Sequence, residues 1–339
     1  MRKVTVITPS RLHFALIDLN GVLGRIDGGI GLSLSQPGFR IIASHARETV
    51  VLGPEDIIHR ARRIVELIQE KCRIGGVRIE IQQSIPSHVG LGPGTQLSLG
   101  ISQAMCRLYD LELTHSEMGF VVERGGTSGI GIAAFSQGGF IVDGGHAKSE
   151  KSSFLPSSAS KGVNPPPVIA RYDFPDWDIL ITIPHCKHIS GNDEVKLFQT
   201  LCPMSITDVQ AISHIVLLKL MPSIVENDIV SFGEAIDQIQ TLGWKKVEIE
   251  NQDAIIRQTM DFLRKNGGHG VGLSSWGPAI FCFGDNLKPL EAKTREFMQR
   301  GYCFLTRANN SGAMVIDEDI NGVYGCCPET ANLQKALCG

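Results

Sequence analysis

Gly90, Gly92 and Gly94 punctuate the segment SIPSHVGLGPGTQLSLGISQAMCRLY, residues 84–109, where a glycine-rich turn runs directly into an amphipathic helical pattern. Glycines let the chain turn tightly and lay its N–H groups open. A helix that starts near Thr95 and continues through Gln96 aims its unsatisfied amides and positive dipole end at the same point. The chemistry this favours is anion binding, phosphate above all. The plainer use of the same glycines is a turn that only joins strand 77–85 to the helix. No Lys precedes a Ser or Thr in the loop, which excludes the usual P-loop.

Three further clusters carry chemistry-bearing residues. In TPSRLHFALIDLNGVLGRIDGGIG, residues 8–31, Arg11, His13, Asp18, Arg25 and Asp27 crowd an otherwise apolar, glycine-rich stretch. On a strand Arg11 and His13 share a face, where they could meet an anionic substrate; the alternative is a solvated face and an Asn20-Gly21 hairpin. RGGTSGIG, residues 124–131, offers Arg124, Thr127, Ser128 and the backbone at Gly129 to an anion, or else caps a helix C-terminus. GVGLSSWGP, residues 270–278, is another flexible turn, carrying Ser274, Ser275 and Trp276. Three such turns in one chain predict a shared anion-binding crevice.

HCKH at 185–188 contains metal-ligand residue types, but His185 and Cys186 face opposite sides of a strand end and no second pair follows at structural-zinc spacing. Lys187 and His188 are better placed as anion contacts. Ser190, Asp193 and Glu194 then either orient a ligand or cap the next helix.

The elements that must position these groups follow from periodicity. Apolar alternation predicts strands at about 3–8, 11–18, 39–45, 48–52 and 77–85, with a helix over 55–72. A helix over 95–109 follows the glycine loop, and Thr114 with Glu117 predicts a capping box that opens a third. Residues 125–145 return through glycines to a strand near 139–143. HAKSEKSSFLPSSASKGVNPPP, residues 146–167, predicts an exposed loop and a domain boundary. Strands at 168–173 and 178–184, helices between 192 and 265, a turn at 267–278 and a final strand, helix and strand complete the chain, which is mixed α/β in pattern.

The 339 residues, 42% hydrophobic and 20% charged, are those of an ordinary globular chain able to bury a substantial core. A net charge of −3 gives no basic field to draw nucleic acid or anionic membrane, so the expected ligands are small molecules. The N-terminus alternates like a strand rather than a signal peptide, and no apolar run of membrane-spanning length is expected. Nine cysteines without a CxxC pair suit a reducing compartment, the cytoplasm, and adjacent Cys326 and Cys327 are read as ordinary thiols.

With these loops in order, the chain resembles the GHMP small-molecule kinase superfamily. Pro9-x-Arg11, the Pro-x-x-x-Gly-Leu-Gly loop from Pro86 to Gly92, the Ser128-Gly129 turn and the glycine turn at 268–278 carry the resemblance. It implies an α+β, GHMP-kinase-like two-domain fold: an N-terminal βαβ-type domain over 1–167 and a ferredoxin-like domain over 168–339, with phosphates bound between them. Kinases of the superfamily follow Gly-Leu-Gly with Ser-Ser and place an aspartate base shortly after the Ser-Gly turn. This chain has Pro93-Gly94-Thr95-Gln96 and, at the base position, Gly131, which cannot take a proton.

Those departures, with SRLHFALIDLNG, GRIDGGIGL, GLGPGTQLSLG, RGGTSGIGIAAF and GVGLSSWGP, resemble one branch, the β-ribofuranosylaminobenzene 5′-phosphate synthase family. The resemblance implies a methanopterin-pathway enzyme that condenses phosphoribosyl diphosphate with 4-hydroxybenzoate or 4-aminobenzoate, releasing diphosphate and carbon dioxide. By role, the Gly90–Gln96 loop, Thr127, Ser128, Ser274 and Ser275 would hold phosphates, and Asp18 or Asp27 would hold Mg2+. Arg11 or Arg25 would dock the carboxylate and His13 would take the phenol proton. The alternatives are an ATP-dependent small-alcohol kinase and a non-catalytic ligand sensor. A homodimer is the default assembly.

Overall fold

Buried and exposed residues alternate along Val77–Gln83, so one face of that strand meets a helical layer and the other meets solvent. The same logic assembles most of the N-terminal half. The computed structural model describes residues 2–122, 129–156, 160, 163–186 and 191–319. In chain order the first elements are β1 (Arg2–Ile7), β2 (Ser10–Asp18), β3 (Arg25–Leu34), β4 (Arg40–His45), β5 (Val50–Leu52), α1 (Glu55–Cys72), β6 (Val77–Gln83), α2 (Pro93–Leu108) and α3 (His115–Val121). They are followed by α4 (Gly129–Ser136), β7 (Phe140–Asp143), β8 (His146–Ala147), β9 (Val168–Tyr172) and β10 (Asp178–Pro184). The remainder comprises α5 (Gly191–Leu201), α6 (Ile206–Ile215), a π-helical turn (Val216–Leu220), α7 (Met221–Val225), α8 (Ile229–Ile239), α9 (Gly243–Glu250), α10 (Ala254–Lys265), β11 (His269–Leu273), β12 (Ile280–Gly284), α11 (Lys288–Met298), β13 (Gly301–Thr306) and β14 (Met314–Asp319).

The described residues form three sheets, in the orders β14-β1-β4-β6-β5, β2-β3-β7-β9 with β8 beside β3, and β11-β12-β10-β13. Two pairings run across residue 167: β9 lies against β7, and β14 lies against β1. Phe14 ties the layers together, its ring centroid 5.0 Å from Phe281, 6.1 Å from Phe283 and 6.4 Å from both Phe140 and Phe232. A bulge in β2 between His13 and Ala15 lets Phe14 enter this core while Arg11 and His13 turn elsewhere.

Two elements differ from expectation. The glycine-rich stretch after Arg25 is the ten-residue strand β3, buried at every position but the first. Gly28 takes φ +71°, whereas Gly29 and Gly31 are there for close packing. A Cβ on Gly29 would stand 2.6 Å from Asp143 Oδ2, and one on Gly31 would collide with Ile130 of α4. Helix α4 is itself buried at every residue from Gly129 to Phe135, so it has no polar face to announce it. The run Ile206–Val225, by length and composition, is long and apolar enough to cross a membrane, contrary to the sequence expectation. One stripe of it, Ile212, Val216, Leu220 and Ile224, packs into the main core.

The glycine loop enters α2 at Pro93, two residues earlier than expected, with Gly92 in the left-handed region as its N-cap. The Thr114–Glu117 capping box is present. Gly90 has φ +87°, and a Cβ there would collide with the Ser274 carbonyl oxygen. Gly90→Ala is therefore expected to lose about 1–3 kcal/mol to backbone strain, with the clash added. Gly24→Ala, at φ +83° but with nothing within 4 Å, should lose the strain energy alone; urea denaturation of the pair separates the two contributions.

Candidate active site

Residues of β2, β3, α4, β7, β8, α5 and α9 converge on one cleft. It is lined from β2 by Arg11, His13 and Leu16, from β3 by Asp27, Gly28 and Gly29, and from the start of α4 by Gly129 and Ile130. Asp143, His146 and Lys151 come from β7, β8 and the segment after it. Glu194 and Phe198 of α5, Trp244 and Glu248 of α9, and Ser275 after β11 complete it.

Arg11 bridges the cleft and the glycine loop. Its Nη1 donates to the Gly90 carbonyl at 2.5 Å, and its side chain lies against Gly92, where a Cβ would come within 3.0 Å. Burial pulls its pKa down to about 10, against the opposing charge of Glu248. His13 is held by backbone contacts: its N–H donates to Ser274 Oγ at 3.1 Å and its carbonyl accepts from the Ser275 N–H at 3.1 Å. Burial, then the Arg11 and Lys245 charges, push the His13 ring well below its usual pKa. Two neighbouring cations thus oppose protonation of the His13 ring, so a proton passed to it would be held weakly.

On the far side Asp27 sits in the left-handed region at φ +71°. Its Oδ2 receives Lys151 Nζ at 2.9 Å and lies 2.7 Å from His146 Nδ1. Lys151 also donates to the Leu155 carbonyl at 2.8 Å. Composition predicts an exposed loop over 146–167, yet His146 and Lys151 are 1% and 5% exposed. Beside them Asp143 accepts the Gly145 N–H at 3.0 Å, and burial holds its carboxyl up to about 6.

That shift has a stability consequence with a definite sign. An unfolded Asp releases its proton near pH 4, whereas the folded Asp143 keeps it to about 6. Between those values the folded state binds more protons, so this carboxyl's contribution to stability falls as pH rises and is flat above the folded pKa. Asp143→Asn is expected to gain on the wild type by about 3 kcal/mol between pH 4 and pH 7.5. Urea midpoints at intermediate pH values check this.

A buried ion pair underlies the aromatic side. Lys245 and Glu248 of α9 are 1% and 4% exposed and bonded to each other, and Lys245 Nζ also donates to the Leu273 carbonyl at 3.0 Å. Burial lowers the Lys245 pKa and raises that of Glu248. Glu194 is pushed up to about 7, first by burial and then by the Glu248 charge.

The structure brings Arg11, His13, Asp27, Gly129 and Ser275 together and reassigns others. Asp18 Oδ1 accepts the N–H groups of Asn20 and Gly21, both at 2.7 Å, so it closes a turn and does not line the cleft. Arg25 donates to the carbonyls of Gly144 at 2.7 Å and Gly145 at 2.6 Å, fixing the β7–β8 turn instead of reaching a carboxylate. Gln96 is fully buried and donates to the Gly131 carbonyl at 2.8 Å, a strut between α2 and α4. Ser274 Oγ is likewise spent on the Gly90 carbonyl at 2.7 Å.

Gly90 and Gly92 stand against Arg11, the Arg60 guanidinium packs over Gly94, and neither these three glycines nor Thr95 is among the described residues that line the cleft. Arg124, Thr127, Ser128 and His188 lie outside the described residues. Among the described residues no group of three His, Cys, Asp or Glu side chains is placed to hold a metal by itself. Asp143, His146, Lys151, Phe198, Trp244 and Glu248 were not expected. The spacing of Glu194 to Phe198 and of Trp244 to Glu248, four residues in each case, was the available signal.

The sequence matches the GHMP kinases N terminal domain over residues 59–139 and the GHMP kinases C terminal domain over 220–302. It is 43% identical over 313 residues to β-ribofuranosylphenol 5′-phosphate synthase of Archaeoglobus fulgidus, covering 91% of this chain and 98% of that one. The chain belongs to that synthase family. The family member of Methanothermobacter thermautotrophicus is 42% identical over 330 residues, with 93% and 99% covered. In fold, the chain is similar to mevalonate kinase of Methanococcus jannaschii, with TM-score 0.62, 14% identity and coverage of 90% and 98%. It is similar also to homoserine kinase of Cytophaga hutchinsonii, with TM-score 0.60, 14% identity and coverage of 93% and 97%. This synthase family is thus built on the α+β GHMP architecture.

Proposed function

We propose that this enzyme condenses phosphoribosyl diphosphate with 4-hydroxybenzoate or 4-aminobenzoate, releasing diphosphate and carbon dioxide to give a β-ribofuranosyl-benzene 5′-phosphate for methanopterin biosynthesis. The observation that carries this reading is the 43% identity to a β-ribofuranosylphenol 5′-phosphate synthase over 98% of its length. The cleft supports it. Half-buried Arg11 and buried Lys151 offer cations for phosphate or carboxylate, Phe198 and Trp244 offer an aromatic wall, and all four line one cavity. A kinase reading is disfavoured because Gly131 supplies no base and its carbonyl is already taken by Gln96.

Departure of diphosphate from the ribose leaves a cation-like C1, so the site must hold the phosphates, exclude water and present the ring carbon on the opposite face. Arg11 and Lys151, fixed by Gly90 and Asp27, hold anionic groups in place at little further entropic cost. Magnesium fits here only as a companion of the diphosphate: such an ion needs one or two protein carboxylates, and Asp27, not Asp18, is at hand. When bound it would help neutralise charge on the leaving diphosphate.

The test is an incubation of the protein with magnesium, phosphoribosyl diphosphate and either benzoate, following carbon dioxide and diphosphate together. Equal release is the expected result. Consumption of ATP with small alcohols, and no carbon dioxide, would replace the synthase by a kinase.

A further inference from the structure

Two helices present the same pair of residue types to the cleft. Glu194 and Phe198 are four residues apart on α5, and Trp244 and Glu248 are four apart on α9, so each helix turns one carboxyl and one aromatic ring to a common face. All four line the cavity. The Phe198 and Trp244 rings are 4.1 Å apart and tilted by 41°, and both residues are only 2% exposed. Leu16, Ile130 and Leu155 extend this apolar surface. Trp244 Nε1 is buried without a hydrogen-bond partner among the described residues, a donor that a ligand oxygen would satisfy.

The two carboxyls are not equivalent. Glu248 is committed to Lys245, which is itself anchored to the Leu273 carbonyl. Glu194 forms no ion pair among the described residues. Resting on the synthase reading, we propose that the Phe198–Trp244 wall receives the benzoate ring and that Glu194 accepts the proton of its para hydroxyl.

Glu194 takes the hydroxyl proton, and the phenolate electron pair moves through the ring to the carbon that bears the carboxylate. That carbon forms the bond to ribose C1 as the C1–O bond to diphosphate breaks. The C–C bond to the carboxylate then breaks, carbon dioxide leaves, its electron pair restores the aromatic ring, and Glu194 returns the proton to the oxygen. Burial and the Glu248 charge hold the Glu194 pKa near 7, where such a borrowed proton moves readily in both directions. An aromatic amine needs no prior loss of a proton to donate its lone pair, so 4-aminobenzoate depends less on this residue.

Glu194→Gln is expected to lower turnover of 4-hydroxybenzoate by roughly 100-fold, at least 30-fold more than any loss with 4-aminobenzoate. 3,5-Difluoro-4-hydroxybenzoate, whose ortho fluorines make its phenol acidic enough to be mostly ionised at pH 8, should recover most of the lost rate at that pH. Phe198→Ala should raise KM for the benzoate about tenfold, the effect of ~1.4 kcal/mol, with KM for phosphoribosyl diphosphate within twofold. Equal losses with hydroxy and amino substrates, or no recovery with the fluorinated phenol, would overturn the role of Glu194; an unchanged benzoate KM in Phe198→Ala would overturn the ring site. Absence of product from the wild-type enzyme with every benzoate would instead overturn the synthase reading on which the proposal rests.

Discussion

Arg11→Lys is expected to lower kcat/KM for the benzoate about 100-fold, equivalent to ~2.7 kcal/mol, with little change in the far-ultraviolet circular dichroism. The guanidinium uses Nη1 to hold the Gly90 carbonyl and lies flat against Gly92, so its remaining N–H groups are aimed rather than mobile. A planar fork in that position can meet a carboxylate or phosphate with two bonds. An ammonium must choose between Gly90 and the ligand, and it loses the packing over Gly92. Charge-assisted bonds contribute about 1.5–3 kcal/mol, which sets the size of the effect. Steady-state kinetics with each substrate varied in turn assigns the loss: a rise confined to the benzoate KM marks Arg11 as a carboxylate contact, and one confined to phosphoribosyl diphosphate marks it as a phosphate contact.

Lys245→Met should be the most destabilising single change in the site, by about 3–5 kcal/mol, because it leaves Glu248 buried without its cation. For a chain of this size that corresponds to a fall in melting temperature of about 10 °C. The sign of its pH dependence follows from which group is stranded. Burial raises the Glu248 pKa, so in acid a stranded Glu248 is protonated and the penalty shrinks, and the variant approaches the wild type there and diverges as pH rises. Adding Glu248→Gln should recover much of the loss at pH 8, since the carboxylate that needed the lysine is gone. Calorimetric melting of both variants across this pH range checks the pair.

How far the chain could be understood from its residues depended on whether burial was one-sided. Helix α1 spans Glu55–Cys72, the range expected from periodicity, because one stripe is buried and the rest is wet. The Thr114 cap was equally legible, since its chemistry is local. Strand β3 and helix α4 were not, because both faces of each are covered and no polar alternation remains. The reason for two of the β3 glycines, the pressure of Ile130 and Asp143 on Gly29 and Gly31, exists only once the fold is assembled.

The site divides the same way. Arg11 and His13 share a face by strand geometry, and the structure places both in the cleft. Lys151 sits in a segment whose Ser, Lys and Pro content predicts solvent exposure, and only its pairing with Asp27, 124 positions earlier, brings it inside. Asp18 and Asp27 look alike in sequence and face one another across β2 and β3, but Asp18 is spent on two turn amides while Asp27 meets the cleft. Composition cannot separate two aspartates whose difference lies in their partners.

The pairing of β14 with β1 also governs the order in which the molecule can be finished during synthesis. Arg2 Nε meets Asp317 Oδ1 at 3.1 Å across 315 positions of chain, and the strand between them and the interior, β1, has β4 on one side and β14 on the other. Until residue 319 has left the ribosome, β1 is therefore an open sheet edge, a template for pairing with other nascent chains. The arms of Arg2 and Lys3 charge that edge from the outset, a guard suited to a strand that is made well before the partner that covers it.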